Sequence, residues 1–421
     1  MTAPPDTDPP IALDLPESGS GVRAARRRRL LHRRTFRRVG YASAMVVLVA
    51  AIPVLATIGY RALRDTTTGR RIDAQNDPNK PRYEANVLPT PVVLLAELGA
   101  DNTLQGLTML ALGPNDTGGA VVFIPPSTVS QRADGTLDTL SNTFGTGDVA
   151  ALEQATANLV GLSFDQTIVM NADQWQQFAA PVAPLTVDNP DRVAIRDAKG
   201  RTSTLFPAGR LQLSADQIAS YMQVHNPSES DLAHLNRKQA VWSAWLEAIK
   251  AKASPGAVPG ETTVGFGRYL LGLSKGAADI ATLPVRPQSA PGASVETFVA
   301  DPAGVQALMA QDVPLPTPAN AGDRARVRLL SGVGPIGSPN VVAAKIVSGG
   351  GEITIIGNAD RFDYPTTQIV YYEDQFAPAA QKLRDALGLG EVSKSETPTD
   401  VEDVTVILGA DATAKYGGSG G

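Results

Sequence analysis

The sequence predicts an α/β protein with one N-terminal transmembrane helix and two folded domains outside the membrane. Three observations support this prediction. Residues 39–60 are apolar and uncharged, strand and helix patterns are mixed over residues 88–312, and a second such series covers residues 324–412. The 421 residues, 43% hydrophobic and only 19% charged, indicate a globular chain with room for more than one domain.

The segment 39–60 is predicted to cross a membrane as a helix. The 22 positions between Arg38 and Arg61 hold no charged residue. At about 1.5 Å per residue, such a helix is roughly 33 Å long, and the bilayer core is about 30 Å thick. A twin-arginine export signal at Arg33 and Arg34 is the alternative, but the long apolar stretch favours an uncleaved anchor.

Charge fixes the predicted orientation. Residues 1–38 carry nine arginines and four acids, a net charge of +5. Because the whole chain has a net charge of −5, the remaining residues carry −10. The positive-inside rule places residues 1–38 in the cytoplasm and the bulk outside, as a single-pass plasma-membrane protein. Next to a membrane span, the arginine run indicates topology rather than binding to nucleic acid. A tail of this length also cannot fold into a DNA-reading module.

The residue types limit the cofactors. The chain has no cysteine, which excludes disulfides and cysteine-bound metals. His32, His225 and His234 are the only histidines, so a histidine-rich metal site is not expected. No metal and no other cofactor is predicted.

A polar stalk is predicted at residues 61–87, followed by the first domain. Apolar runs predict a strand at 91–96 and a β-hairpin from the strands 107–112 and 120–124. A helix is predicted from Asp148 to Leu159 and a strand over 167–170.

Two more helices are predicted in this domain. The first begins at Ser214 and runs to His225, and the second covers 231–252. The second helix carries an apolar stripe that includes Trp242 and Trp245. We interpret the two tryptophans as core residues rather than as a platform for a ligand.

A proline-rich linker at 313–323 separates the second domain, 324–412, from the first, and a flexible tail follows at 413–421. Its predicted elements alternate between strands and helices. They are strands at 327–330, 353–356, 368–372 and 403–408, and helices at 340–347 and 377–387. Gly332, Gly334 and Gly337 match a dinucleotide-binding pattern, but too few residues remain for that fold, and a structural turn is favoured.

The ectodomain resembles the LytR–CpsA–Psr (LCP) family, the cell envelope-related transcriptional attenuator type, with a LytR C-terminal domain appended. The specific matches are VRLLSGVGPIG at 327–337, TQIVYY at 367–372 and VTVILGAD at 404–411. The first domain is similar more weakly over 88–312. The resemblance implies an LCP-like α/β/α sandwich followed by a smaller α/β domain.

Catalytic members of this family are membrane-anchored phosphotransferases. They move a glycopolymer from a polyprenyl-pyrophosphate carrier onto peptidoglycan with Mg²⁺. The reaction needs guanidinium groups on the pyrophosphate and carboxylates on the metal.

This sequence departs from the family's pattern at those positions. The family's Ile-Pro-Arg-Asp motif corresponds to Ile-Pro-Pro126-Ser127, and the acid expected before Thr108 is replaced by Leu107. An arginine is also missing at Gln223. Most of the electrostatic stabilisation that the transfer reaction needs is therefore absent.

Four residues remain candidates for ligand binding at the degenerate site. Asp231 and Arg237 match the family, and His225 and His234 stand where it has arginines. A histidine is mostly neutral at pH 7 and so replaces an arginine poorly. Asp231 could instead be a helix N-cap, and Arg237 could have an ordinary structural partner.

We therefore expect a non-catalytic LCP-like pseudoenzyme of the cell envelope that binds or regulates during assembly of cell-wall glycopolymers. The expected partners are the cell membrane, a polyprenyl lipid in a retained apolar cavity, a wall polymer or an active LCP protein. The alternative is a genuine Mg²⁺-dependent phosphotransferase built from shifted residues. Its candidate residues are Arg132, Arg210, Arg268, Arg286, Asp101 and Asp134.

Overall fold

The computed structural model describes residues 77–145, 147–227, 229–288, 296–336, 340–397 and 399–416. The predicted cytoplasmic tail and transmembrane helix lie outside these residues. No helix among the residues described is long and apolar enough to cross a membrane. The described residues all belong to one compact unit.

A mixed five-stranded sheet forms the centre of the first domain, in the order β12–β4–β3–β2–β7. Its strands are β2 (Val92–Leu98), β3 (Leu104–Leu112), β4 (Gly119–Ile124), β7 (Gln166–Met170) and β12 (Ala278–Thr282). β3 and β4 pair antiparallel, which confirms the predicted hairpin. The first six residues of β2 are all buried, because helices cover both faces of the sheet.

Helices lie on both faces, so this domain is an α/β/α sandwich as expected. Those on one face are α1 (Leu140–Phe144), α2 (Val149–Val160) and α7 (Pro302–Asp312). Those on the other are α3 (Ala172–Ala179), α4 (Ala215–Gln223), α5 (Asp231–Lys252) and α6 (Gly265–Lys275). Alternate residues of the strands point to the two layers, with Val93 and Leu95 in one core and Leu94 and Ala96 in the other.

Helix ends follow the predicted caps, with two exceptions. Asp148 accepts a hydrogen bond from the backbone N–H of Ala151 at 2.9 Å and so caps α2, as expected. α4 ends at Gln223, two residues before the predicted end. The N-cap of α5 is Ser230, whose hydroxyl accepts the N–H of Ala233 at 3.1 Å. The interpretation of Asp231 as the N-cap is therefore wrong, and its carboxylate has another partner.

Small sheets complete the first domain, and the sequence patterns missed them. A four-stranded sheet has the order β13–β14–β5–β6, and two hairpins pair β8 with β11 and β9 with β10. The four-stranded sheet comprises β5 (Thr128–Gln131), β6 (Leu137–Thr139), β13 (Val285–Pro287) and β14 (Phe298–Ala300). The hairpins comprise β8 (Leu185–Asn189), β9 (Val193–Arg196), β10 (Thr202–Phe206) and β11 (Gly209–Leu213).

The second domain is a six-stranded sheet with three helices, in the order β1–β16–β15–β19–β17–β18. Its elements are β15 (Ala325–Ser331), α8 (Asn340–Ser348), β16 (Gly351–Asn358), β17 (Gln368–Tyr371), α9 (Ala377–Leu387), β18 (Glu391–Lys394), β19 (Val404–Leu408) and α10 (Ala410–Tyr416). β18 and α10 were not predicted, and α10 extends into the expected tail. β1 (Glu84–Asn86) comes from the expected stalk.

The glycine motif has a packing role in this domain. A side chain at Gly332 would lie 2.8 Å from the carbonyl of Leu408 and from the ring of Tyr364. Gly337 lies outside the described residues. The tight approach of Gly332 supports the interpretation of this motif as a structural turn.

Aromatic side chains fill the interior between the central sheet and its second helical layer. Trp175, Trp242 and Trp245 are fully buried, with ring centroids 5.3 to 6.0 Å apart. Phe123 of β4 and Phe266 of α6 pack edge-on against them. The two predicted core tryptophans are therefore core residues.

Candidate functional site

Polar side chains collect where β2 and β4 end and α5 begins. The hydroxyl of Ser127 donates to the carboxylate of Asp231 at 2.8 Å. The backbone N–H of Asp231 donates to Glu296 at 3.0 Å. The side-chain amide of Gln223 donates to the carbonyl of Leu98 at 3.1 Å. The structure thus brings together residues from four distant parts of the sequence.

A buried ion pair lies beneath these groups. The ammonium of Lys238 is 3.0 Å from the carboxylate of Glu97, and the two side chains are 1% and 0% exposed. Lys238 also donates to the carbonyl of Gln105 at 3.2 Å, and Thr108 donates to Glu97 at 3.4 Å. Gly106 leaves room for the pair, because a side chain there would lie 2.3 Å from the ammonium.

Sequence reasoning missed this pair, although one signal was available. Glu97 directly follows the apolar run 91–96, which is predicted to be a buried strand. A buried carboxylate needs a cation or several hydrogen bonds, since desolvation of an unpaired charge costs several kcal/mol. The lysine next to Arg237 supplies that cation.

Arg237 is bound by groups of its own domain. One terminal nitrogen of its guanidinium contacts the carbonyl of Val224, the carboxylate of Glu229 at 3.2 Å and Nδ1 of His234 at 2.6 Å. Its side chain is only 4% exposed, and its guanidinium lies 5.5 Å from the ring centroid of Tyr221. The arginine retained from the family pattern is therefore a buried, internally paired cation.

The two histidines stack on each other. The rings of His225 and His234 are 3.8 Å apart and nearly parallel, at 7°. Burial lowers the pKa of His234 to about 2, with the cations of Lys238 and Arg237 acting in the same direction. Partial desolvation also lowers the pKa of His225, although this residue lies at the surface. Both rings are therefore neutral at pH 7 and contribute no positive charge to the site.

His225, Glu229 and His234 are close enough to be considered as metal ligands. Their nearest ligand atoms all lie within 4.8 Å of one another. In parallel stacked rings, however, the nitrogen lone pairs run side by side instead of converging on one point. The Arg237 guanidinium also contacts both Glu229 and His234. This arrangement suits a bound guanidinium, and Mg²⁺ in particular prefers oxygen ligands.

The residues at the four positions that depart from the resembled pattern have structural roles. Leu107 is 1% exposed and packs in the core with α1 and α2. The carbonyl of Pro126 accepts the N–H of Ser141 at 2.9 Å, at the start of α1. Ser127 donates to Asp231, and Gln223 donates to the carbonyl of Leu98 at the end of β2.

The residues of the alternative transferase site do not form one cluster. Arg132 pairs with Asp138 at 2.7 Å, Arg268 with Asp116 at 2.8 Å, and Arg286 with Asp301 at 3.2 Å. Asp116 lies in the turn between β3 and β4, at the opposite end of these strands from Ser127.

The two proposed metal acids, Asp101 and Asp134, each accept hydrogen bonds from the threonine two residues later. These contacts lower the pKa of both carboxyls. Arg210 lies on β11, opposite Asp188. Each of these residues thus serves a local turn, ion pair or hairpin.

Comparison with solved structures finds similar chains, each of which covers about half of this one. Bacillus subtilis TagV is 15% identical with a TM-score of 0.42, covering 52% of this chain and 94% of that chain. TagT bound to LI-WTA is 13% identical with a TM-score of 0.42, covering 56% and 96%. Streptococcus agalactiae gbs0355 is 12% identical with a TM-score of 0.44, covering 53% and 86%.

No curated protein sequence matches the chain. Residues 324–411 match the family model described as LytR cell envelope-related transcriptional attenuator. This range coincides with the second domain and contains all three signature stretches that predict it. The chain therefore carries a LytR C-terminal domain of that family at residues 324–411.

Proposed function

We propose that the protein is a membrane-anchored, non-catalytic LCP-like protein that binds or regulates during assembly of cell-wall glycopolymers. The C-terminal domain supports a role in the cell envelope. One observation supports the non-catalytic part of the proposal: the cations of the candidate site already form ion pairs with carboxylates of the same domain. Glu97 pairs with Lys238, and Glu229 pairs with Arg237.

A pyrophosphate site needs positively charged donors that are free to bind the ligand. In this domain the ammonium of Lys238 and a terminal nitrogen of Arg237 already bond carboxylates and carbonyls. Removing even one preorganised donor from an active site costs on the order of a hundredfold in rate. The loss of several donors, at Pro126, Gln223, His225 and His234, favours binding or regulation over group transfer.

The space expected for a lipid tail is filled by aromatic side chains. The family resemblance implies a polyprenyl chain between the sheet and the helices, where the tryptophan cluster packs. A tail at that position would have to displace fully buried rings, each of which contributes several kcal/mol to stability. We therefore favour a wall polymer or an active LCP protein as the partner over the lipid carrier.

The anchor at residues 39–60 and the external location of the bulk remain part of this proposal. They rest on the uncharged segment and on the arginine asymmetry around it. A reporter fused in turn to the two termini of the full chain would test the orientation.

A transfer assay tests the absence of activity. The full chain in detergent is mixed with a polyprenyl-pyrophosphate-linked glycopolymer, peptidoglycan and Mg²⁺, beside an active LCP transferase as a positive control. We expect no transfer above the protein-free background. Transfer that depends on Mg²⁺ and is lost in Arg237→Ala would contradict the proposal and establish the alternative, an active phosphotransferase.

A further inference from the structure

The segment that precedes the first domain completes the sheet of the second. β1 pairs antiparallel with β16, with Glu84 opposite Gly357 and Asn86 opposite Ile355. Backbone hydrogen bonds extend the pairing beyond β1: Arg82 donates to Ala359 at 2.9 Å, and Val87 donates to Thr354 at 3.1 Å. The matched range 324–411 therefore lacks one strand of its own sheet.

Asn358 binds the incoming segment with its side chain. Its amide nitrogen donates to the carbonyls of Pro78 at 2.8 Å and Lys80 at 2.7 Å, and its amide oxygen accepts the N–H of Ile336 at 2.7 Å. The residue is 1% exposed. Without the segment, both donated hydrogen bonds would be lost, and each such bond contributes about 0.5–1.5 kcal/mol to stability.

Two further features fit the segment closely. A side chain on Gly357 would lie 2.0 Å from the carbonyl of Tyr83, so only glycine permits this approach of the backbone. Arg328 of β15 forms an ion pair with Glu84, and its other terminal nitrogen lies 3.6 Å from the buried Glu402. The backbone contacts provide attachment, and Arg328 selects an acidic residue at one position.

We infer that the LytR C-terminal domain of this protein is a strand-binding module, and that its bound strand is residues 77–87 of the same chain. The contacts follow strand addition, in which main-chain hydrogen bonds give affinity and side-chain contacts give specificity. The ligand is an extended segment that begins with a proline-containing turn and carries a carboxylate within ion-pairing distance of Arg328. This inference does not depend on the proposed function.

The chain path favours binding within one molecule. After Val87 the chain enters the first domain at β2, and it leaves that domain through the linker. The two connecting segments are hydrogen-bonded to each other. The N–H of Thr90 donates to the carbonyl of Leu315 at 2.9 Å, and the N–H of Leu315 donates to the hydroxyl of Thr90 at 3.2 Å. The first domain is therefore inserted between two parts of the second, which holds the segment before it and the segment after it together.

Disulfide trapping in the full chain tests this inference, because the natural chain has no cysteine. In Ala85→Cys/Ile356→Cys, the two thiols stand opposite each other in the ladder. After mild oxidation we expect a monomer that has lost two hydrogen atoms by mass. Free thiols would overturn the inference, and a covalent dimer would show that the strand binds a second copy instead.

A matched control uses the other edge of the same sheet. In Ala85→Cys/Ser393→Cys, one cysteine lies on the segment and the other on β18, at the opposite edge of the sheet from β1. We expect no disulfide within one molecule here. Equal trapping in both variants would overturn the inference, since it would indicate that the segment has no fixed position.

Hydrogen exchange supplies a second test. In Gly357→Ala, the added methyl group should displace the segment and speed exchange at Arg82 and Val87 by about tenfold or more, as expected for loss of roughly one hydrogen bond. Gly256→Ala, where a side chain would meet only ordinary contact at 3.6 Å, is the control.

Unchanged exchange at Arg82 and Val87 in Gly357→Ala would contradict the inference. If this variant also exposes β19, Glu84→Gln takes its place, because it removes the charge opposite Arg328 without crowding the backbone. The same two amides should then exchange faster than in the natural chain, with β19 unchanged. Exchange equal to that of the natural chain would count against the inference.

Discussion

The two halves of α5 lie in opposite surroundings. The first half contributes His234, Arg237 and Lys238, all buried and bonded to groups of the same domain. The second half contributes Trp242 and Trp245, which pack against rings from the sheet and the neighbouring helices. Leu235 of the first half also lies in the apolar core, so the two halves differ in their polar groups rather than in their burial. The buried charges of the first half and the aromatic rings of the second half therefore depend on different partners.

The largest effect is expected from breaking the buried ion pair. Lys238→Met leaves Glu97 buried without a cation, which should lower the free energy of unfolding by about 3–5 kcal/mol in urea denaturation at pH 7. The double variant Glu97→Leu/Lys238→Met removes both charges and should recover most of that loss. If the double variant is as unstable as the single one, the loss comes from altered packing, and the unpaired carboxylate is not its cause.

The aromatic half should respond independently. Trp245→Leu leaves space among Trp175, Trp242 and Phe266, and should cost about 2–3 kcal/mol in the same measurement. Lys238 and Trp245 lie two helical turns apart and have different partners. The two losses should therefore add within about 0.5 kcal/mol in the Lys238→Met/Trp245→Leu variant. A larger coupling would show that the two halves are not separate regions.

The neutral histidine predicts a loss of stability in acid. The pKa of His234 is lowered to about 2 in the folded protein, whereas the unfolded chain takes up a proton near 6.5. The stabilisation is therefore present above pH 6.5 and is lost as the pH falls. Between pH 7.5 and pH 5, the free energy of unfolding should drop by about 2 kcal/mol from this group alone. His234→Asn keeps an acceptor for Arg237 and should lack this part of the drop. An unchanged pH dependence would contradict a buried neutral ring.

A carboxyl on the opposite helical layer should titrate with the opposite sign. Burial, followed by the nearby charge of Asp279, raises the pKa of Asp312 to about 6. Its contribution to stability is fully present below pH 3.8 and is lost as the pH rises through about 6. Asp312→Asn should therefore add about 1–2 kcal/mol at pH 8 and little at pH 4. Equal effects at both pH values would contradict the raised pKa.

The sequence predicted the elements that have long apolar periods or clear caps. The hairpin, α2 with its Asp148 cap, the full length of α5 and most of the second domain follow from such local signals. The short strands β8 to β11 were missed because their outward residues are polar and their pairing is set by contacts distant in sequence. β1 was missed for the same reason, since only β16 gives it a partner.

The sequence identifies several residues of the polar cluster but not their hydrogen bonds. The family pattern led to Asp231, Arg237, His225 and His234, and the structure brings all four to one end of the sheet with Ser127 and Gln223. Glu97 was missed, because the partner of a buried acid lies far away in sequence. The role of Asp231 was open for a similar reason: its partner Ser127 lies 104 residues earlier.

The binding of the lipid carrier tests the central claim most directly. The full chain is purified gently in detergent and examined by native mass spectrometry, first as isolated and then with added polyprenyl pyrophosphate and Mg²⁺. A domain whose cations are already neutralised should carry no polyprenyl phosphate or pyrophosphate and should show no Mg²⁺-dependent binding. A carrier bound one to one in the natural chain, and lost in Arg237→Ala, would show that the site still accepts pyrophosphate and would contradict the account.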